Sequence, residues 1–497
     1  MAEWQRRFWN TVVSGYVSLV VRILTGLLTF RLMFSSLSGE QFGFWALLWS
    51  LFGYGILLDF GFGFTAQKGV AEKIATGKLD ELSPLLATMF WTYVGMALVS
   101  AVVFIVIREP FLAMIGHNLG ADPEFVRTYI IFFLGLAVMF PLGLFPEVVC
   151  GMQRADITNW ISAICSLLGF GAMWWALHCG WSLSKLMLLS IATGSLPNLI
   201  AAAYSLRNLP GLSLSPRWFR WRTIRAKMSF SLVAYLITFS NMLMSKSDQL
   251  VISMALGVAF VAVYQAAFKT SEMLGMFTSQ LQRMLSPAAA SFHALGDRDG
   301  LRHLLLTSSR LIFLLTTPAY FLAAVYLHQL IRLITGLDGV SQETWLSGQA
   351  LLLATYSSQL TGGASKRVLV MTGGERKLLM ISLAEAGLNV VLSVILAYRF
   401  GVVGVALGTL VPSVLMGWLW VVPLSSKSLE IDWKTYLRHH MKGTVAPLAG
   451  FAVVLLVIVV AAPAASDAGL FGLAWRGLAC VAPVLILGRR TVCQVAA

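Results

Sequence analysis

The segment RNLPGLSLSPRWFRWRTIRAK, residues 207–227, holds Arg207, Arg217, Arg220, Arg222, Arg225 and Lys227 and no acidic residue. On each side of it the chain turns apolar for about 20 residues, the length that carries a helix across a bilayer. Retained cytoplasmic loops hold an excess of Lys and Arg, so this block places its side of the chain inside. Working outward, fourteen such stretches appear, near 11–34, 42–66, 85–107, 125–147, 158–178, 185–206, 228–252, 259–285, 305–328, 346–372, 379–398, 403–424, 444–462 and 469–487. Connections on the same side as 207–227, with both tails, hold roughly 22 Lys and Arg against roughly 5 opposite, so both termini are expected in the cytoplasm. The run 11–34 follows Arg6 and Arg7 and is too long for a typical signal-peptide core, so it reads as the first span.

Composition supports the same reading. Of 497 residues, 58% are hydrophobic and 12% charged. A soluble core of that length cannot bury so much apolar surface, and disordered chains are poor in such residues. The net charge of +14 would suggest nucleic acid in a soluble protein, but here the cytoplasmic loops account for it and no nucleic-acid partner is expected. Cys150, Cys165, Cys179, Cys480 and Cys493 show no paired spacing and read as small packing residues, without a metal site or disulfide framework.

Six spans precede the basic block, so a second set starts from the same side. Sliding the chain on itself by 219 residues lays span on span. Gly77 meets Gly296, Asp80 meets Asp299, Leu82 meets Leu301, Leu86 meets Leu305, Tyr16 meets Tyr235, Gly120 meets Gly339 and Glu124 meets Glu343. The expected fold is all-α: a polytopic integral membrane protein of about 14 transmembrane helices, built as two parallel six-helix lobes plus two C-terminal helices. The lobes are 1–206 and 228–424, joined by the basic linker 207–227, with two added helices and a tail in 425–497. Parallel repeats of this kind are a transporter architecture, with the substrate path near the midplane between them.

Charges inside spans cost several kcal/mol and usually turn toward a cavity or a partner, as an order of magnitude. Arg22 sits at the centre of the first span, with Ser18, Thr25 and Thr29 near it on a helical wheel. The seventh span holds Lys246 and Asp248, with Asn241 on the face of Asp248. The eighth carries Gln265, Lys269, Glu272, Ser279 and Arg283 on one broad face, and Lys269 and Glu272 stand three apart, within pairing reach. Arg31, Arg310, Lys366 and Arg367, with Asp59, Glu147 and Glu385, complete the set. Each of these charges also has a plainer reading, as an interhelical ion pair or a side chain snorkelling from a span end. A cavity lined by the deeper ones leans cationic and suits an anionic substrate such as a phosphate or pyrophosphate head group.

Four segments bear a resemblance. LSGEQFGFW (37–45) follows the first span, LLDFGFGFTAQKGV (57–70) closes the second, MSKSDQLVISMALGVAFVAVY (244–264) joins the seventh to the eighth, and FHALGDRDGLRHLL (292–305) follows the eighth. Together, over a layout covering about residues 5–420, they resemble polysaccharide-unit flippases of the multidrug/oligosaccharidyl-lipid/polysaccharide exporter superfamily, the O-antigen and exopolysaccharide branch. That family shows a glycine-containing turn after its first and seventh spans, an Asp eight residues before the second turn, matched by Asp248 before Leu256, and a D-[FL]-G-x-[GS] end to the second span, matched by Asp59, Gly61 and Gly63. This chain departs at Arg31, one turn deeper than the family's first-span Arg, and at Val258 and Ala262. The resemblance implies alternating access and movement of an undecaprenyl-pyrophosphate-linked oligosaccharide from the inner to the outer leaflet of a bacterial inner membrane, with membrane lipids and a polysaccharide polymerase and co-polymerase as further partners. In this reading Arg22, Lys246 and Lys269 hold the anionic head group, Asn241, Thr29 and Gln265 add polar contacts, and Asp248 or Glu272 carries a coupling ion.

Other chemistry is not encouraged. DFG at 59–61 sits at a span end without the other kinase elements, GFG at 61–63 has no preceding strand, and no Walker A sequence occurs. Adjacent His439 and His440 point apart on a helix and read as no metal site; no cofactor and no catalytic residue is expected. Two other functions compete. An ion-coupled multidrug exporter prefers an acidic cavity, against the deep Lys and Arg here. A membrane glycosyltransferase or polymerase often needs a large loop domain, whereas the longest outer connections, 108–124 and 329–345, are short.

Overall fold

The computed structural model describes residues 2–55, 62–77, 79–116, 119–209, 211–220, 232–282, 292, 296–336, 339–371, 374–461, 475–476 and 479–484. Among them there is helix and no strand. The chain divides into two compact units, Met1–Met242 with Gly257–Ala262, and Leu243–Leu256 with Val263–Ala497.

In the first unit the helices are α1 (Ala2–Ser36), α2 (Gly39–Gly55), α3 (Phe62–Ala75), α4 (Leu82–Val106), α5 (Arg108–Ile115), α6 (Pro123–Leu142), α7 (Leu144–Gly151), α8 (Ala155–His178) and α9 (Leu183–Asn208). The remaining helices are α10 (Leu232–Ala255), α11 (Val258–Gln282), α12 (Arg298–Val325), α13 (Leu327–Thr335), α14 (Gln342–Gly362), α15 (Ser365–Met371), α16 (Glu375–Met416), α17 (Val422–Ser428), α18 (Trp433–Met441) and α19 (Val445–Ala461). A π turn over Gly417–Val421 joins α16 to α17. Seven helical segments among the described residues are long and apolar enough to cross a membrane, eight if the bent pair Trp433–Met441 and Val445–Val460 is one span. One of the seven runs through Gly401, whose non-helical backbone folds α16 into two antiparallel arms. The protein is a multi-pass membrane protein. Its outer faces fit lipid: Val99, Val102, Val106, Leu168, Val391 and Ile395 are all exposed, more apolar surface than a soluble monomer shows.

The offset of 219 recurs in the helix boundaries. Moved by 219, α5 falls on 327–334 and α6 on 342–361, where α13 and α14 are found; α8 moves to 374, and α16 begins at Glu375. Gly77 and Gly296 both take left-handed backbone, φ +70° and +68°, a region that favours glycine, and so turn the chain at the same point of each repeat. The cores repeat as well. Leu82 and Leu86 are buried with Tyr93 and Val148 in the first unit, and Leu301 and Leu305 are buried with Ile312 and Val368 in the second. Capping is local and legible. The side chain of Asp122 accepts from Glu124 N at 2.8 Å, Ser341 Oγ from Thr344 N at 3.1 Å and Asp297 from Gly300 N at 2.8 Å.

Several connections hold short helices, and one cysteine departs from the expected packing role. The outer connections 108–124 and 329–345 are not plain loops, because α5 and α13 occupy part of them; α13 buries Leu327, Ile331 and Ile334 on one face. The basic connection 425–443 contains α18, which is amphipathic and too polar to register as a span by itself. Cys179 is exposed, unlike the buried Cys165 and Cys480. Of the added helices, Phe451, Leu455, Cys480 and Val484 pack with Leu314 and Tyr326 of the second unit. Asp59, Gly61, Arg222, Arg225, Lys227, Arg283, Cys493 and most of the span 469–487 lie outside the described residues.

Candidate functional site

The second unit holds a buried carboxylate in a nest of neutral groups. Asp248 lies on α10 and is 2% exposed. Its Oδ2 accepts from the Tyr264 hydroxyl of α11 at 2.6 Å and from Thr409 Oγ1 of α16 at 2.7 Å. Its Oδ1 accepts from Ser393 Oγ at 3.4 Å. Asn389 closes the back of the nest. It donates through Nδ2 to Thr409 Oγ1 at 3.0 Å and accepts through Oδ1 from Ser247 Oγ at 3.3 Å.

Backbone geometry makes the nest possible. Gly401, at φ +59°, turns α16 back on itself, so Asn389 and Ser393 on one arm face Val405 and Thr409 on the other. A Cβ at Gly404 would stand 2.0 Å from Leu396 O, and one at Gly408 would stand 2.4 Å from Ser393 Oγ, so only glycine permits the approach. The turn is pinned by Glu343, whose Oε1 accepts from Val402 N at 3.0 Å. Hydroxyl, amide and backbone groups surround Asp248, and no cationic side chain among the described residues bonds to it. An ionised carboxylate buried this way needs a counter-charge or a proton.

The other site candidates divide into committed and uncommitted groups. Lys269 Nζ stands 2.8 Å from Glu272 Oε2, the pair expected from their spacing, with both side chains about a quarter exposed (23% and 24%). Lys366 lies 3.3 Å from Glu385, which is 3% exposed, so this charge has a structural partner. Gln282 donates through Nε2 to Gln359 Oε1 at 2.6 Å. By contrast, Lys246 is half-buried and Arg22 is exposed, and neither side chain makes a hydrogen bond or ion pair with the described residues. Gln265 and Thr29 are half-buried. The side chain of Asn241 lies outside the described residues.

Arg22 does not share the buried face of its neighbours. At about 100° per residue, Ser14, Thr25 and Ser18 fall within about 40° of arc, Thr29 lies near 60° and Arg22 near 80°. Burial follows that order: Ser14, Ser18 and Thr25 are buried, Thr29 is intermediate and Arg22 open. The buried edge packs on α8, where Asn159 donates to Ser14 Oγ at 3.1 Å. Sequence reading grouped these residues in one stripe; the packing of α1 splits it.

Sequence reading singled out Asp248 but missed Tyr264, Asn389, Ser393 and Thr409. Asn389 and Ser393, four apart on one face of the span 379–398, were the available signal, with Thr409 two turns into the next. The nest is also unequal between repeats. The residue 219 before Asp248 is Thr29, and the residue 219 before Tyr264 is Trp45.

Residues 36–338 match the family model described as polysaccharide biosynthesis protein. No curated protein matches the sequence. Among solved structures, the lipid II flippase MurJ in an inward closed conformation aligns with TM-score 0.73 at 12% identity, covering 98% of this chain and 100% of that one. An inward-facing multidrug resistance MATE transporter of the MOP superfamily aligns with TM-score 0.67 at 13% identity, covering 84% and 98%. The Vibrio cholerae MATE transporter VcmN, in mutant form, aligns with TM-score 0.59 at 15% identity, covering 88% and 100%. At these identities the likeness concerns the fold.

Proposed function

The chain belongs to the polysaccharide biosynthesis protein family, and on that premise we propose that it moves an undecaprenyl-pyrophosphate-linked oligosaccharide repeat unit from the cytoplasmic to the periplasmic leaflet by alternating access. The observation that carries the reading is the charge division inside the spans. Lys269 and Lys366 are neutralised by Glu272 and Glu385, whereas Arg22 and Lys246 have no side-chain partner among the described residues. A pyrophosphate presents strong acceptor oxygens, and Arg and Lys are the side chains that recognise them. Arg22 and Lys246 therefore carry the head-group contact, with Thr29, Gln265 and Asn241 as neutral hydrogen-bonding groups toward it. Lys269 contributes only when its bond to Glu272 opens.

Asp248 supplies the coupling. In this account its nest takes up a proton or a monovalent cation in one state of the cycle and gives it up in another; Glu272, already paired, is the lesser candidate. Binding energy shifts a two-state transporter only where ion and cargo have different affinities for the two states. A single negative charge among neutral oxygen donors gives such a difference for a small cation. The protein sits in the inner membrane with both termini in the cytoplasm, and acts as a transporter and not an enzyme. It hands its cargo to a polymerase and co-polymerase.

The test is complementation of a strain lacking the gene. Arg22→Ala and Lys246→Ala are expected to reduce polymer export at matched protein level. Undiminished export in both removes these residues from the mechanism. A changed drug-susceptibility panel with intact polymer on deletion would instead favour drug export.

A further inference from the structure

A second cationic site lies in the second unit, away from the Asp248 nest. A cavity of about 360 Å³ is lined by His303, Thr307, Arg310, His439 and Lys442. That volume is at the small end of ligand sites, which run from about 300 to 1,000 Å³. His303, Thr307 and Arg310 recur at four and three residues along one face of α12, while His439 and Lys442 come from the end of α18 and its cap. Arg310 is 7% exposed, and its Nη1 reaches the Lys442 carbonyl oxygen at 3.5 Å, which ties the two walls together. His303 and Thr307 meet at 3.4 Å.

The wall has donors and positive charge but no carboxylate: none of its five described residues is acidic. Nearby carboxylates are engaged elsewhere. Asp299 and Glu430 bond to Arg302 at 3.2 and 2.8 Å, and Glu430 also to Arg298 at 3.3 Å. The Nε2 atom of His439 is buried and has no hydrogen-bond partner among the described residues. His439 precedes the span Val445–Ala461, and its pKa is pushed below the usual histidine range, first by burial and then by the positive charges of Arg310, His303 and Lys442. A cluster of mutually repelling groups around a cavity is relieved by an anion.

We propose that this cavity binds a phosphate group, held by Arg310 and Lys442 as charged donors, with His439, His303 and Thr307 as further hydrogen-bonding groups. Arg and Lys around a water-sized to ligand-sized space recognise tetrahedral oxyanions in this way. A phosphate monoester or free phosphate from the aqueous side and the phosphodiester of an anionic lipid present the same chemistry. The inference stands apart from the transport reading, because none of these five residues belongs to the cargo or coupling sets.

The test is isothermal titration calorimetry of the full-length protein in an uncharged detergent, with two probes: inorganic phosphate and dioctanoylphosphatidylglycerol. Saturable binding of at least one probe is expected. Lys442→Gln and His439→Gln, both on the accessible wall, should each weaken it about tenfold or more, with unchanged thermal unfolding. Arg310→Gln should remove it, and the two accessible variants keep the test valid if that buried change unfolds the protein. Binding of both probes supports recognition of the phosphate group alone; binding of one supports the proposal and names the source, lipid or solution. Absence of binding by both probes overturns the proposal, as does unchanged affinity in Lys442→Gln and His439→Gln. Either failure leaves the export phenotypes of Arg22 and Lys246 untouched, so the two accounts fall separately.

Discussion

Glu343 Oε1 accepts the backbone N–H of Val402 at 3.0 Å, and its partner at the repeat offset, Glu124, accepts the backbone N–H of Ser184 at 2.7 Å. Each glutamate stands at the start of its own helix, α14 or α6, and ties down the start of another helical stretch. A carboxylate there satisfies an orphan N–H and meets the positive end of the helix dipole. The same device in both units is the most specific structural trace of the internal repeat.

Removal of this tie should loosen each unit in the same way. Glu124→Ala and Glu343→Ala are each expected to lose about 0.5–2 kcal/mol, the range for losing a helix cap. Differential scanning fluorimetry in detergent measures it. Gly401→Ala should be at least as harmful, because its backbone is left-handed and a Cβ there would lie 2.7 Å from Glu343 Oε1.

Asp248→Asn keeps the shape of the nest and deletes its charge, with one acceptor oxygen replaced by an amide donor that a reoriented hydroxyl can accept. Transport is expected to stop while thermal unfolding stays close to wild type. Tyr264→Phe and Thr409→Val each remove one donor to Oδ2, and hydrogen bonds to charged groups are worth about 1.5–3 kcal/mol. Both variants should shift the cation or proton concentration that half-saturates transport in proteoliposomes. A shift in maximal rate alone, with unchanged ion dependence, would assign these residues to packing.

The bonding of Lys269 to Glu272 separates a structural lysine from a substrate lysine. If the pair is structural, Lys269→Ala strands Glu272, and the double variant Lys269→Ala/Glu272→Ala recovers function and stability. The coupling energy from a double-mutant cycle should be modest, roughly 1 kcal/mol or less, since both side chains are partly open. Failure of the double variant to recover export, with stability restored, would return Lys269 to cargo binding.

Orientation has a direct test in Cys179, which is exposed between α8 and α9. With both termini in the cytoplasm this connection faces outward. A membrane-impermeant maleimide added to intact cells should label Cys179, and Cys179→Ser should abolish that labelling. Labelling only after permeabilisation would reverse the topology.

Several of these features can be read from residue order alone. The apolar runs, the basic segment 207–227 and the offset of 219 lead to helices, and the offset returns in Gly77 with Gly296 and in Leu86 with Leu305. These depend on local composition and period, which the sequence states directly. Asp248 stood out because a carboxylate in a span is expensive. Its partners did not stand out, because Tyr264, Asn389, Ser393 and Thr409 are ordinary residues until α16 folds back at Gly401. The exposure of Arg22 depends on which edge of α1 packs against α8, and a wheel shows the arc without choosing the edge. Short helices such as α5, α13 and α18 escaped because they are too brief or too amphipathic to register as spans.

The central claim is that unshared positive charge inside the spans recognises a pyrophosphate-bearing lipid. The direct measurement is translocation of a fluorescent undecaprenyl-pyrophosphate-linked oligosaccharide by purified protein in proteoliposomes, with Arg22→Gln and Lys246→Gln compared with wild type. The account predicts a fall of tenfold or more in each variant, and a fall for wild type when the monophosphate-linked lipid replaces the pyrophosphate. Equal rates for both variants and both lipids would contradict it.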